Sequence, residues 1–421
     1  TISAGLTLYD LMALTRRSER HKRLRSSRVH EIEPGLRSDT LLGGVIYYDG
    51  WGDDARVTLE NVLDAAYHGA VVANYSAVED FEHTASSHAV AVRDVETDAM
   101  LTVRARHVVN AAGPWVDQIR RMDESGCTAR IRLTKGVHLV FESDRLPVRH
   151  ALVLTDHEGR IIFIMPHGRY VLVGTTDTDF DGDCEKVAAD ATDIDYLLTI
   201  VNDCFPELAL RAADVAACFA GLRSLPQAAS HARPSSVPRE EVILHSQSGL
   251  ISVAGGKLTT HRRIAEEVVD LLCDRQGFVG RKFPTRTVPL PGARVLLEDC
   301  LPPATLPNNV GHLLHGRYGN RTQIIAALAA NHAELAKPLV DGCSTIRAEV
   351  IFATRYEMAR SVADFLVRRT SMTWQAPREA RAAVPIVGRL MARELGWEPV
   401  RELLEINRFK ELEKSILGIR P

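Results

Sequence analysis

The sequence predicts a mixed α/β fold in which a layered α/β domain is interrupted by an antiparallel-sheet cap and followed by an α-helical C-terminal domain. Three observations carry this. Two short runs, Asn110-Ala-Ala-Gly-Pro-Trp115 and Ala254-Gly-Gly-Lys-Leu-Thr-Thr260, each end an apolar strand in small residues where a helix begins. Residues 120–248 alternate short β-like segments with turns. Beyond residue 308 the apolar residues recur at helical spacing with almost no β signal.

In chain order, residues 1–40 are a helical and basic segment assigned to the cap. Leu6, Leu8, Tyr9, Leu11, Met12 and Leu14 are followed by Arg16, Arg17, Arg20, Lys22, Arg23, Arg25 and Arg28. An apolar patch running into cations suits an anionic bilayer surface; the alternative is a solvated basic helix end. Residues 41–119 and 249–283 make the layered domain, which is therefore discontinuous. Its elements are strand-like Val45–Tyr48, a helix over 57–68, a strand over Ala70–Val78 and His107-Val-Val as a buried parallel strand into Asn110. In the second half, Leu250–Ala254 is a strand, Gly255-Gly256 a tight turn, and Lys257–Asp270 an amphipathic helix. The cap, 120–248, holds strands Val137–Phe141, Arg160–Met165 and Tyr170–Gly174 and a helix near Asp193–Cys204. Residues 284–307, rich in Pro and Gly, are the linker. Residues 308–421 hold helices over Ile324–Asn331, Ala348–Arg369, Ala380–Glu394 and Pro399–Leu417.

Composition narrows the function. At 421 residues and 45% hydrophobic content the chain has core material for two or three domains. A net charge of −3 offers no general field for nucleic acid. Seven cysteines without a Cys-x-x-Cys pair fit a reducing compartment, hence the cytoplasmic side, and give no zinc spacing. His312 and His315 have helical i,i+3 spacing but no third ligand, so no metal is expected. No apolar run has the length of a transmembrane helix, which leaves membrane contact to be peripheral. Hydrolase signatures such as Gly-x-Ser-x-Gly are missing.

Together the two strand-to-helix runs suggest a flavin site. Ala111, Ala112 and Gly113 let the backbone approach a ligand closely, and Pro114 suits a first helical turn. The amides heading the helix after Gly256 face an anion or a flavin carbonyl. A third run, Gly50-Trp-Gly-Asp-Asp-Ala55, satisfies Gly-x-Gly-x-x-Ala and has Glu79 on the next strand. Asp49, Asp53 and Asp54 crowd the helix N-terminus where a pyrophosphate needs bare amides, so it reads as a loop into a helix.

Seven stretches carry a family resemblance: Tyr47-Tyr-Asp-Gly50 with Asp54-Ala-Arg56, Asn110–Asp117, Lys135-Gly-Val-His138, Val173-Gly-Thr-Thr-Asp177, Gly221-Leu-Arg223, Gly255–Arg262 and Arg355–Thr370. They stand in the order found in FAD-dependent glycerol-3-phosphate dehydrogenases, and the chain resembles that family over most of its length. It departs where Ser224 replaces the usual Pro and His261 the usual Tyr. The family opens with a strand, a Gly-x-Gly-x-x-Gly turn and a helix that hold the FAD pyrophosphate. Nothing before residue 40 matches that opening, so the chain reads as a piece lacking it. The resemblance implies an FAD-binding nucleotide-binding domain under a substrate cap, and FAD as cofactor. It implies oxidation of sn-glycerol 3-phosphate to dihydroxyacetone phosphate with quinone as acceptor, at the inner, cytoplasmic face of a membrane. A homodimer stays open. So do an oxidase using oxygen, a dehydrogenase of another 2-hydroxy acid, and a non-catalytic membrane-surface or interaction fragment.

Oxidation at C2 requires a proton acceptor, a hydride acceptor and a cradle for a phosphate dianion. On the resemblance, His138, Arg223 and Lys257 are catalytic, and Arg223, Arg239 and Thr259 bind substrate. Val78, Ala111, Ala112, Gly113, Trp115, Gly255, Gly256, Lys257, Leu258, Thr259 and Thr260 hold the cofactor. Each has a plainer alternative. His138 serves equally as a core histidine bonded to a backbone carbonyl, Arg223 as half of a structural ion pair, and Thr259 or Thr260 as a helix cap. Thr175–Asp177 either order the flavin-facing wall or form a capped turn.

Overall fold

The computed structural model describes residues 2–12, 20–84, 87–227, 240–278, 283–294 and 306–418. The chain opens with α1 (Ile2–Met12), β1 (Lys22–Arg25), α2 (Ser26–Ile32) and β2 (Gly43–Ile46), and β1 and β2 pair antiparallel. Lys22, Arg23 and Arg25 therefore lie on a strand, where the sequence suggests a helical run; Arg16 and Arg17 lie outside the described residues. α1 turns Leu8, Tyr9, Leu11 and Met12 outward.

A loop leads to α3 (Asp54–Tyr67), whose first turn is capped by Asp53, its carboxylate accepting from the Arg56 amide at 3.0 Å. The Gly50–Ala55 run is thus a loop into a capped helix. Where the sequence suggests one strand over Ala70–Val78, the structure has three, β3 (Ser76–His83), β4 (His88–Asp94) and β5 (Met100–Ala105), in an antiparallel sheet. Of their apolar side chains Phe81 and Val90 are buried, while Met100, Leu101 and Val103 are exposed, so the alternation that marks a strand is weak in the sequence. β6 (Val109–Asn110) then runs through a turn at Gly113–Trp115 into α4 (Val116–Asp123), which packs on β3.

The long β7 (Ile131–Glu142) organises the largest sheet. β8 (Leu152–Thr155), β9 (Ile161–His167) and β10 (Tyr170–Gly174) form a meander that pairs back on its second half, and β11 (Thr178–Asp179) pairs with Thr134 and Lys135. After α5 (Ala191–Cys204) the chain returns as β12 (Val215–Pro226) along the other side of β7. The period-2 alternation of β7 sends Val137, Leu139 and Phe141 into a core closed by α5 through Leu197 and Val201. On the opposite face Val140 joins Tyr170 and Ala217 in a core completed by the C-terminal helices. Burying each such side chain contributes about 1.5–3 kcal/mol, so the sheet is clamped from both sides. Gly136 and His138 belong to that second face.

β13 (Glu241–His245) and β14 (Ile251–Gly255) form a hairpin, and β14 lies parallel to β6 through Ile251–Val109 and Ser252–Asn110. The pairing is parallel as the sequence suggests, but β6 is short and Val109 is exposed. A single turn, Leu258–Thr260, precedes α6 (His261–Arg275). The C-terminal part is built mainly of helices, α7 (Asn308–Tyr318), α8 (Thr322–Asn331), α9 (Arg347–Tyr356), α10 (Met372–Gln375), α11 (Pro377–Leu395) and α12 (Pro399–Leu412), with a non-helical stretch between α8 and α9 closed by a Pro338–Ile346 bridge. The single helix expected over Ala348–Arg369 is broken after α9. Glu357 is drawn into tertiary bonds there, its carboxylate meeting Arg56 at 2.8 and 2.9 Å and its carbonyl accepting from Arg369 at 2.6 and 2.9 Å. Met358, at φ 55°, then turns the chain towards a π-helical turn at Asp364–Arg369. No described helix is long and apolar enough to cross a membrane.

Candidate active site

A cavity of about 850 Å³ lies over the second face of the large sheet, with Gly136, His138, Thr175, Phe219, Arg223 and Trp374 among its walls. Strand register brings these residues together from distant parts of the sequence. On β7, His138 lies opposite Phe219 of β12 and Gly174 of β10; Gly136, two residues back on the same face, lies opposite Gly221. Arg223 starts opposite Thr134 and reaches over Gly136: a Cβ there would stand 2.5 and 2.7 Å from its guanidinium nitrogens. The glycine of Lys135-Gly-Val-His138 is therefore the floor on which Arg223 rests beside His138. Lys135 points elsewhere and forms ion pairs of 2.6 Å with Asp190 and Asp193 at the start of α5.

The His138 ring stacks on Phe219 at 5.0 Å and 10°, and Phe219 in turn leans on Trp374 of α10 at 4.8 Å. Burial, reinforced by the neighbouring Arg223 cation, pushes the His138 pKa down to about 4, so the imidazole is neutral near pH 7. Among the described residues no protein group hydrogen-bonds the ring, so the carbonyl-bonded core histidine is not what forms. A neutral imidazole lining a cavity can take up a proton.

The turn after β10 helps to orient Arg223. Nη1 donates to Asp177 Oδ1 and to the Thr176 carbonyl, both at 3.2 Å, and Nη2 donates to Thr175 Oγ1 at 3.1 Å. In the structure Arg223 forms an ion pair with Asp177 and also lines the cavity. Thr175–Asp177 act as its support.

Of the residues assigned to the cofactor, all but Val78 form a neighbouring ledge at the C-terminal ends of the parallel strands β6 and β14. Buried Asn110 ties the ledge together: its amide donates to the Val116 carbonyl at 2.9 Å and to Ser252 Oγ at 3.1 Å, and its oxygen accepts from the Ala112 amide at 3.2 Å. Gly255 and Gly256, both at φ 79°, turn the chain out of β14 in a conformation that side chains rarely adopt. A Cβ on Gly255 would also meet the Pro226 ring at 3.1 Å, which sets the ledge against β12 three residues beyond Arg223. Ala111, Lys257, Leu258, Thr259 and Thr260 are exposed along it, as is Trp115, while Ala112 and Gly113 are half-buried. Thr260 does not cap α6; its hydroxyl bonds the Lys257 carbonyl at 3.0 Å and closes the turn. Val78 sits half-buried in the separate β3–β5 sheet, and Arg239 lies outside the described residues.

These residues fit a flat cofactor. The ends of adjacent parallel strands are where open α/β layers bind ligands, and this ledge presents bare backbone with an exposed apolar surface in Trp115 and Leu258. Sequence reasoning missed Gly136, Gly174, Phe219 and Trp374. The glycines lie in or beside the stretches that carry the resemblance. Phe219 and Trp374 have no local signal, since only strand register and the return of the C-terminal helices bring them to His138.

Residues 4–262 match the profile of the FAD dependent oxidoreductase family, and residues 283–402 match that of the C-terminal domain of alpha-glycerophosphate oxidase. The chain is similar to the aerobic glycerol-3-phosphate dehydrogenase of Bacillus subtilis, 34% identical over 415 residues, 94% of this chain and 74% of that one. Its similarity to the Staphylococcus haemolyticus enzyme of the same name is 32% identity over 417 residues, with the same shares covered. Among solved structures it resembles the Bacillus halodurans glycerol-3-phosphate dehydrogenase complexed with FAD, at a TM-score of 0.83 and 33% identity, covering 94% of this chain and 79% of that one. With its sequence matched across nearly its whole length, and its fold matched with it, the chain belongs to the FAD-dependent oxidoreductases, in the family of the aerobic glycerol-3-phosphate dehydrogenases.

Proposed function

We propose that this chain binds FAD along the Ala111–Trp115 and Gly255–Thr260 ledge and oxidises sn-glycerol 3-phosphate at C2 to dihydroxyacetone phosphate. The observation that carries the reading is the pairing of a neutral histidine, His138, with an arginine fork, Arg223, in the walls of one cavity. When bound, FAD supplies the acceptor for the hydride that leaves C2. Arg223 holds the phosphate dianion, since a planar guanidinium offers donors to two oxygens at once, and Arg239 is assigned the same duty from the sequence. His138 takes the C2 hydroxyl proton, so that the C–H electron pair departs as hydride while the remaining oxygen closes to a carbonyl. Phe219, itself leaning on Trp374, keeps the imidazole stacked. Lys257 puts a positive charge at the ledge, and Thr259 offers a hydroxyl to the substrate.

Quinone is the proposed electron acceptor, and a turnover assay comparing a quinone analogue with oxygen distinguishes it from the oxidase alternative. We also propose peripheral attachment to the inner, cytoplasmic face of the membrane. The exposed Leu8, Leu11 and Met12 of α1 stand in the same segment as the exposed Arg20, Lys22, Arg23 and Arg25. Co-sedimentation with anionic liposomes that high salt reverses is the result this attachment requires. The activity itself is tested by substrate-driven reduction of bound flavin.

A further inference from the structure

Between the β4–β5 turn and the C-terminal helices lies a second cavity, of about 350 Å³, independent of the site described above. Four arginines line it: Arg360 and Arg368 from the segment after α9, and Arg401 and Arg408 from α12. They are threaded on carboxylates. Glu96 accepts from Arg360 Nε through Oε2 and from Arg401 Nη2 through Oε1, both at 3.0 Å. Buried Glu405 accepts from Arg408 Nη1 at 2.9 Å and pairs with Arg401 at 3.0 Å. Arg368 Nη1 donates to Asp364 at 3.2 Å, and Asp364 also accepts from the Tyr75 hydroxyl at 2.8 Å.

The cluster is short of acceptors. A guanidinium carries five N–H donors. Among the described residues Arg360, Arg368 and Arg408 each give a single side-chain donor to a protein oxygen, and the Arg401 Nε is buried without a partner. The three single donors are not sealed inside: the side chains of Arg360, Arg368 and Arg408 are 44, 54 and 60% exposed. In direct ion pairs four cations meet three carboxylates, and Asp94 at the end of β4 lies near enough to Arg360 to feel its charge. The same cavity has an apolar side in Phe409 and Leu412. Its volume is at the lower end of the range that small-molecule sites occupy.

We propose that this cavity binds a phosphate-bearing small molecule. Its oxyanion takes the unused N–H forks of Arg360, Arg368 and Arg408, and its body lies against Phe409 and Leu412. Arginine suits this because its planar donors match two phosphate oxygens at once.

The test is calorimetric titration of the full chain with inorganic pyrophosphate, in the parent and in three variants whose folding is checked by thermal melting. The parent should show saturable binding. Arg223→Ala should retain it, which separates the cavity from the proposed substrate site. Arg368→Ala with Arg408→Ala should weaken it about tenfold or more, as expected when charge-assisted bonds are lost. Glu96→Gln, which removes a competing carboxylate from Arg360 and Arg401, should tighten it several-fold; damage to the fold cannot produce that sign. Absence of saturable binding in the parent, unchanged affinity in the double arginine variant, or loss on Arg223→Ala alone would overturn the proposal.

Discussion

Gly174 and His138 face each other across the β10–β7 ladder with no space for a side chain between them. A Cβ at position 174 would stand 2.7 and 2.8 Å from Cγ and Nε2 of the imidazole, and closer still to Cδ2. The ring therefore lies against bare backbone while it stacks on Phe219. Gly174→Ala should push the ring out of place, an overpacking that costs about 1–3 kcal/mol. We expect turnover of glycerol 3-phosphate to fall about tenfold or more with flavin content retained, because a displaced proton acceptor loses its reach. Steady-state kinetics with a dye acceptor, beside the flavin absorbance of the same sample, makes the comparison. Unchanged turnover would detach the ring's position from the chemistry.

The depressed pKa of His138 has a defined sign in stability. Protons bind its unfolded form below about pH 6.5 and its folded form only near pH 4. Between those values the unfolded chain holds more protons, so stability rises with pH across the window. The contribution is complete above about 6.5 and is lost as pH falls towards 4. His138→Gln removes this titration, so the parent's denaturation midpoint should fall more steeply than the variant's between pH 6.5 and 4.5. Parallel pH profiles for the two proteins would mean that the imidazole titrates normally in the folded state.

Arg223 is supported by Thr175, Thr176 and Asp177 and rests over Gly136, so its removal leaves the strands' backbone pairing in place. Arg223→Ala should raise KM for glycerol 3-phosphate sharply, with FAD content unchanged and glycerol handled no worse than by the parent. Loss of a charge-assisted fork on a phosphate corresponds to about 1.5–3 kcal/mol or more. If the variant fails to fold or loses flavin, Arg223 is a structural partner of Asp177 and not a substrate ligand.

The parts of the fold legible in the sequence are those whose signal is local. The strand-to-helix runs at Asn110 and Ala254, the meander through Tyr170–Gly174 and the amphipathic helices α11 and α12 all announce themselves by period and punctuation. The β3–β5 sheet does not, because its exposed face mixes polar residues with Met100, Leu101 and Val103. The break after α9 is equally hidden. It follows from Glu357, fully buried and bonded to Arg56, a partner 301 residues away. That bond also gives the Asp54-Ala-Arg56 stretch a role that its residue types alone do not disclose: it ties α3 to the helical part. In the site, His138 and Arg223 are legible as candidates, but their meeting over Gly136 is a consequence of β7–β12 register.

The most direct measurement is anaerobic addition of sn-glycerol 3-phosphate to the FAD-loaded protein, following the flavin's visible absorbance. Bleaching is expected to the extent of the flavin bound, with dihydroxyacetone phosphate formed in equal amount, and colour should return when a quinone analogue is added. Arg223→Ala, loaded with the same flavin, should bleach far more slowly at low substrate. Flavin that stays oxidised with glycerol 3-phosphate, yet bleaches with a 2-hydroxy acid lacking phosphate, would contradict the proposed activity.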